Sequence, residues 1–266
     1  MHEPTPASGT ARSRPPLSAS RPLIDGGIDV VGIAAVMLVC ALAAVPSFVS
    51  AFGRPWTITP DHDFVAVYNA LLFNAGLLQE NFDFTGYPLY LVLAGWFRLH
   101  VALGLGGVTD FAALRAVGSW EETFAALITA GRALSLVFGA AMTLTVYLVL
   151  RRLVVRPAAI AMTALFAVSP GLAVGLHVVR PELPGAFFFL AAAGALLLAR
   201  RWDATLPFRL ALAAGFACLS VLTTKQAVPA VFALFLLAPF ALPAAADEPD
   251  PHDHDYFERL AEMGPA

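Results

Sequence analysis

The stretch GRALSLVFGAAMTLTVYLVLRRL, Gly131–Leu153, decides the fold class of this chain. No charged side chain stands between Arg132 and Arg151, and an apolar run of this length is long enough to cross a bilayer as a helix. Three similar runs cover Val30–Phe52, Pro157–Val179 and Leu183–Ala199. The repeated runs predict a polytopic membrane protein.

The composition agrees with a membrane protein. Of the 266 residues, 59% are hydrophobic and only 13% are charged, against about a quarter charged in soluble domains. The stretch 210–246 contains two shorter apolar runs divided by Lys225, which predicts a helix pair or a broken helix. No basic patch with interleaved aromatic residues occurs, so we expect no nucleic-acid partner. The predicted fold class is all-α, a transmembrane helical bundle.

The arginines predict the orientation of this bundle. Because short cytoplasmic connectors collect Lys and Arg, each basic group should lie on the cytoplasmic side. The groups are Arg12, Arg14 and Arg21; Arg151, Arg152 and Arg156; and Arg200, Arg201 and Arg209. This pattern predicts a disordered cytoplasmic tail over 1–27, a membrane module over 28–246 with an external loop over 53–129, and an acidic, flexible tail over 247–266.

The external loop contains a second apolar stretch, Tyr87–Val108, interrupted by Arg98 and His100. If it crossed the bilayer, the arginines at 151–156 would lie outside. We therefore predict two helices lying on the membrane surface, about Phe64–Leu78 and about Pro88–Leu105.

Two polar groups then face the same side of the membrane. The first is Asp61, His62 and Asp63, and the second is the pair Arg180 and Glu182. Ionisable residues gathered at a membrane boundary often mark a site. The alternative is that the two aspartates cap the helix expected to begin near residue 64, and that Glu182 begins a helix between two prolines.

The order of five segments resembles the N-terminal module of the integral-membrane GT-C-fold glycosyltransferases, which include protein O-mannosyltransferases and lipid A aminoarabinose transferases. The segments are PDHDFVAVYNALLFNAG (60–76), FDFTGYPLYLVLAGWFRL (82–99), GRALSLVFGAAMTLTVYLVLRRL (131–153), AVSPGLAVGLHVVRPELPGAFFFL (167–190) and AGFACLSVLTTKQAVPAVFALFLL (214–237). The resemblance runs from about residue 29 to residue 242. It implies a hexosyl-type transferase that uses a polyprenyl-phosphate sugar as donor.

The resemblance assigns roles to particular residues. The catalytic acid or base of the family matches Asp61, although His62 stands where a second acid is usual and Asp63 follows it. The later acidic position matches Glu182 in RPELPG, with Glu in place of the more usual Asp, and the resemblance implies that Glu182 is the second catalytic residue. Tyr87 of the Tyr-Pro segment and Lys225 of the Thr-Lys pair match further positions.

Transfer of a sugar explains why such residues are needed. A carboxylate, here Asp61, takes the proton of the attacking acceptor hydroxyl, and cations stabilise the leaving phosphate. The cations predicted to do so are Arg180, Lys225 and Arg132. A divalent cation, Mg²⁺ or Mn²⁺, held by Asp61, Asp63 and Glu182 is a further hypothesis.

The expected protein is thus a cell-envelope enzyme of the cytoplasmic membrane, multi-pass, with its active face outside and its acceptor unidentified. Its partners are the lipid-linked donor and membrane lipids. Because members of the family continue with more spans, we expect a truncated or partial enzyme. A transporter, a lipid-binding protein or a structural subunit is the alternative, and a metal site at His252 and His254 in the acidic tail is disfavoured.

Overall fold

The computed structural model describes residues 29–53, 60–80, 86–198 and 206–241, together with residues 55 and 57. Several side chains inside these ranges, including those of Asp61 and His62, are outside the description. The predicted tails at 1–27 and 247–266, and with them His252 and His254, also lie outside the described residues.

The described residues form helices and contain no strand, which confirms the all-α class. A single 3₁₀ turn, Lys225–Ala227, separates the last two α-helices. The α-helices are α1 (Val30–Gly53), α2 (Pro60–Asn74), α3 (Tyr87–Ala102), α4 (Phe111–Ala116), α5 (Trp120–Leu153), α6 (Arg156–Ala167), α7 (Pro170–His177), α8 (Glu182–Leu198), α9 (Leu206–Thr223) and α10 (Val228–Ala241).

Helix α5 is the central element, and it packs against α1, α2, α3, α6, α7 and α8. It begins 13 residues before the apolar run predicted at Ala133, with Glu121 and Glu122 in its first turn and Arg151 and Arg152 in its last. Acidic residues at the N-terminal end and basic residues at the C-terminal end interact favourably with the helix dipole, so they stabilise α5. Among the described helices, α5 alone is long and apolar enough to span a membrane by itself.

The predicted span Pro157–Val179 is not one straight helix. It consists of α6 and α7, which together pass the same length and composition test but are bent by 52°. The break has a local cause: Pro170 has no N–H to continue the ladder, and Ser169 caps α7 by accepting the N–H of Leu172. Shorter apolar stretches lie within α1, α8, α9 and α10.

The two helices that were predicted for the segment 53–129 have other ends than predicted. Helix α2 begins four residues early, at Pro60, a residue suited to a first turn. It ends at Asn74 because Gly76 takes a positive φ of 75° and turns the chain. Helix α3 ends before Gly104, which has a φ of 69°. Helix α4, which we did not predict, is capped by Asp110.

Buried side chains form several separate clusters, most of which involve α5. One core joins α2, α3 and α4 to the first half of α5 and includes Val67, Tyr90, Phe97 and Ile128. Further clusters join α5 to α7 and α8, α1 to α5 and α6, and α8 to α9. The first core holds α2, α3 and α4 against the first half of α5, which contains Arg132.

Candidate functional site

Asp63 is enclosed at the start of α2 and connects three parts of the chain. Its side chain is 0% exposed and that of Arg132 is 2% exposed. Oδ2 of Asp63 accepts from Nη2 of Arg132 at 2.6 Å and from Nε at 3.1 Å. Oδ1 accepts the backbone N–H of Val179 at 2.6 Å. The capping alternative is therefore wrong for Asp63, which lies inside the helix and binds a distant arginine.

The segment that precedes α8 is held against α5 by several contacts. Besides the bond from Val179 to Asp63, the hydroxyl of Ser135 donates to the carbonyl of Val178 at 3.1 Å. Gly131 allows the close approach, since a Cβ there would lie 2.9 Å from Cγ2 of Val179. These contacts fix the backbone directly before Arg180 and Glu182.

Arg180 and Glu182 form an ion pair at the start of α8. Nη2 of Arg180 donates to Oε1 of Glu182 at 3.1 Å, and about a third of each side chain is exposed. Nε of Arg180 and Oε2 of Glu182 are buried and have no hydrogen-bond partner within the described part of the chain. Both residues border a cavity of about 340 Å³ whose other walls are mainly apolar. The pair thus presents charged groups at the edge of an apolar cavity.

Lys225 is brought to the same end of α8 by packing around Gly185. A Cβ on Gly185 would lie 2.4 Å from Cγ2 of Thr224, and the hydroxyl of Ser220 donates to the carbonyl of Gly185 at 2.7 Å. Gly185 lies about one helical turn after Glu182. The backbone at Lys225 is therefore adjacent to the first turn of α8, and the lysine side chain is exposed.

Helix register separates the two aspartates of PDHD. At about 100° per residue, positions 61 and 63 lie on opposite faces of α2. Position 61 shares its face with Phe64 and Tyr68, which are partly exposed, whereas Asp63 faces the core. The residues present do not fit a cation shared by both aspartates, because the carboxylate of Asp63 is enclosed and already bonded to Arg132.

The remaining predicted residues are not joined to this group by any contact of the described side chains. Tyr87 begins α3, and its exposed ring packs edge-on against Phe73 with ring centres 4.9 Å apart. The side chain of His62, like that of Asp61, is outside the description. Among the side chains that are described, no three His, Cys, Asp or Glu residues lie together as a metal site requires.

A second polar cluster, which the sequence analysis did not identify, lies at the other end of α5. Oδ2 of Asp29 accepts from the hydroxyl of Tyr147 at 2.7 Å, from Nε of Arg151 at 3.1 Å and from Nε of Arg156 at 3.0 Å. Oδ1 accepts the N–H of Gly32 at 3.0 Å and caps α1. These bonds, that of Tyr147 first, hold the pKa of Asp29 well below its usual range.

Only part of the Asp29 cluster had a signal in the sequence. An aspartate directly before a long apolar run is typical of a helix N-cap. Its pairing with arginines more than 100 residues away has no local signature.

No protein-family model matches the chain, and no curated protein or solved structure is significantly similar to it. The resemblance to GT-C-fold glycosyltransferases therefore stays a prediction, and the functional argument depends on the residues and their geometry.

Proposed function

We propose that the chain is a multi-pass module of a cytoplasmic-membrane glycosyltransferase, which moves a sugar from a polyprenyl-phosphate donor to an acceptor hydroxyl on the external face. One observation carries this proposal. Asp63 bonds to Val179, so the first turn of α2 is held beside the segment that leads to Arg180 and Glu182. Position 61 is in the same turn, on the opposite face of α2 from Asp63. The packing of Thr224 on Gly185 adds Lys225 to the same end.

The spacing of the two ion-pair clusters supports the membrane placement. At about 1.5 Å per residue, Arg151 lies about 28 Å along α5 from Arg132, close to the roughly 30 Å of a bilayer's hydrocarbon core. Asp29 joins the start of α1 and the start of α6 to the Arg151 end. This grouping agrees with a cytoplasmic side that holds the N-terminus and the arginines at 151–156, and with external-loop helices on the opposite side.

In the proposed reaction the residues have separate tasks. Asp61 takes the proton of the acceptor hydroxyl as its oxygen attacks the anomeric carbon, and the bond from that carbon to the phosphate oxygen breaks. Arg180 and Lys225 stabilise the negative charge of the departing polyprenyl phosphate. Glu182 orients the guanidinium of Arg180 through their ion pair. The scheme contains no divalent metal ion.

Arg132 and Asp63 have a structural task in this proposal. Both are almost fully enclosed and bonded to each other, so a donor phosphate would have to displace Asp63 to reach the arginine. We therefore leave Arg132 out of the donor-phosphate group that the sequence predicted.

The bent pair of α6 and α7 is a feature that transporters also show. At this break, Ser169 and Gly171 line the same cavity as Arg180 and Glu182, so charged groups do lie beside it. Transporters with broken helices typically also contain an internal repeat, and the sequence shows no convincing repeat. Transport is therefore the second candidate function.

The test of the proposal is the variant Asp61→Asn in reconstituted vesicles. We expect it to insert and fold, and to lose transfer from radiolabelled polyprenyl-phosphate mannose, or from the corresponding hexose donor that the wild type turns over, by at least about 100-fold, the usual contribution of a general base. Glu121→Gln is the matched control, because Glu121 is an exposed carboxylate of the same external segment. Full transfer by Asp61→Asn, or an equal loss in Glu121→Gln, would show that Asp61 is not the base.

A further inference from the structure

Among the described side chains, the cluster around Asp29 contains more positive than negative charge. One carboxylate faces two guanidinium groups, those of Arg151 and Arg156, and Arg152 follows directly in the last turn of α5. The side chain of Arg151 is 19% exposed and that of Arg156 is 47% exposed. The excess positive charge is therefore partly open to the surroundings.

Asp29 also fixes how the two guanidinium groups are presented. Each donates only its Nε to Oδ2 of Asp29. Nη1 of Arg151 reaches the carbonyl of Val154 at 3.5 Å, whereas the Nη groups of Arg156 donate to no described residue. An arginine held at Nε keeps its outer N–H groups in a fixed plane, which suits an oxyanion such as phosphate.

The N-terminal end of α6 adds to the positive potential. Arg156 is its first residue, and the N-cap, Val155, has no side chain that could accept from the first-turn N–H groups. The positive end of the α6 dipole therefore acts in the same direction as the arginines.

We propose that Arg156, supported by Arg151 and Arg152, binds the phosphate of an anionic phospholipid headgroup in the leaflet at this end of α5. The occupant follows from charge complementarity and from position: the cluster lies about 28 Å along α5 from Arg132, where headgroups begin in a bilayer of ordinary thickness. The proposal rests on the membrane placement proposed above and is independent of the transferase reaction.

The lipid selectivity of the purified full chain tests the proposal. The chain is extracted from vesicles of equal parts phosphatidylglycerol and phosphatidylcholine, and the retained lipids are counted by native mass spectrometry. We expect the wild type to retain phosphatidylglycerol in preference. Arg156→Gln should lower this preference about five-fold, the ratio that corresponds to about 1 kcal/mol per basic residue near a membrane surface. Arg115→Gln, which removes another exposed arginine, on α4, should leave the preference unchanged.

Three results would overturn the proposal. They are equal retention of the two lipids by the wild type, an equal loss in Arg115→Gln and Arg156→Gln, and displacement of the lipid by millimolar inorganic phosphate, which would identify free phosphate as the ligand. If Arg156→Gln does not fold, the wild type alone decides the matter. Its preference for phosphatidylglycerol should fall as the salt concentration is raised, because added salt screens a charge-based contact. If the preference does not change with salt, the site is not formed by arginines.

Discussion

At the scale of single residues, the main finding is that Asp63 and Asp61 have different tasks although one residue separates them. The sequence places both in one acidic group, and only the helix register and the pairing with Arg132 distinguish them. A buried ion pair adds little stability compared with apolar residues of the same shape, but losing one partner leaves a buried charge uncompensated.

The variant Asp63→Asn should therefore be strongly destabilised, by about 3–5 kcal/mol. Asn still accepts the N–H of Val179 but leaves Arg132 without its counter-charge. The double variant Asp63→Asn with Arg132→Met should recover part of the loss. The free energy of unfolding of the single and double variants is measured by titrating dodecyl sulfate into the detergent-solubilised protein. If the losses in the double variant are additive, the two side chains do not interact.

Asp29 should make stability depend on pH in acid. Its pKa is lowered in the folded protein, first by the hydroxyl of Tyr147, so its contribution is complete above the ordinary pKa of about 4. The contribution is lost as the pH falls below that value toward the lowered pKa.

Asp29→Asn isolates this charge, because Asn is as good an N-cap as Asp. The variant should melt at a lower temperature than the wild type at pH 7, and the difference should shrink as the pH falls below about 4. A difference that stays constant from pH 7 to pH 3 would mean that the charge of Asp29 contributes nothing.

At the scale of helices, the sequence predicted most apolar elements but few of their ends. Runs of apolar residues reveal α1, α5 and α8, because an uncharged run long enough to cross a bilayer is typical of a membrane helix. The first turns of α5 contain Glu121 and Glu122, so hydropathy alone cannot locate its start. The break between α6 and α7 depends on Ser169 and Pro170. Because the whole run 157–179 is apolar, hydropathy predicted one continuous span there.

Gly185 provides a test of how α8 is placed against the segment at Thr224. A Cβ there would lie 2.4 Å from Cγ2 of Thr224, so Gly185→Ala should lose about 1–3 kcal/mol through overpacking. It should also reduce sugar transfer, because it separates Glu182 from Lys225.

Gly215→Ala is the matched control, since Gly215 lies inside α9 and a Cβ there meets nothing within 4 Å. That variant should be unchanged or more stable, by up to about 1 kcal/mol, because Ala favours the helix. Equal melting temperatures for the two variants, each measured by thermal unfolding in the same detergent, would contradict the close packing at Gly185.

At the scale of the whole molecule, the candidate site was only partly predictable. The number of predicted spans between them predicts that Arg180, Glu182 and the acidic stretch lie on the same side of the membrane. The bonds that bring them together, Asp63 to Arg132 and to Val179, join residues more than 60 positions apart. No local pattern encodes such a pairing, so it required the fold.

The proposed orientation can be measured with single cysteines. After Cys40 and Cys218 are replaced by Ala, Leu78→Cys should react with a membrane-impermeant maleimide in intact spheroplasts, because this exposed position follows α2 on the external side. Leu153→Cys, exposed at the end of α5, should react only after permeabilisation. The reverse pattern would invert the orientation, and labelling of both from outside would exclude a span between them.

The central claim is that Arg180, at the start of α8, and the adjacent Lys225 bind the lipid-linked phosphate. A polyprenyl phosphate with a photoreactive group beside the phosphate tests it most directly, with the labelled peptides identified by mass spectrometry of the full chain in vesicles. We predict labelling within residues 178–186 and 224–230, lost when unlabelled polyprenyl phosphate competes. Competed labelling confined to the other end of α5, around Asp29 and Arg156, would contradict the account.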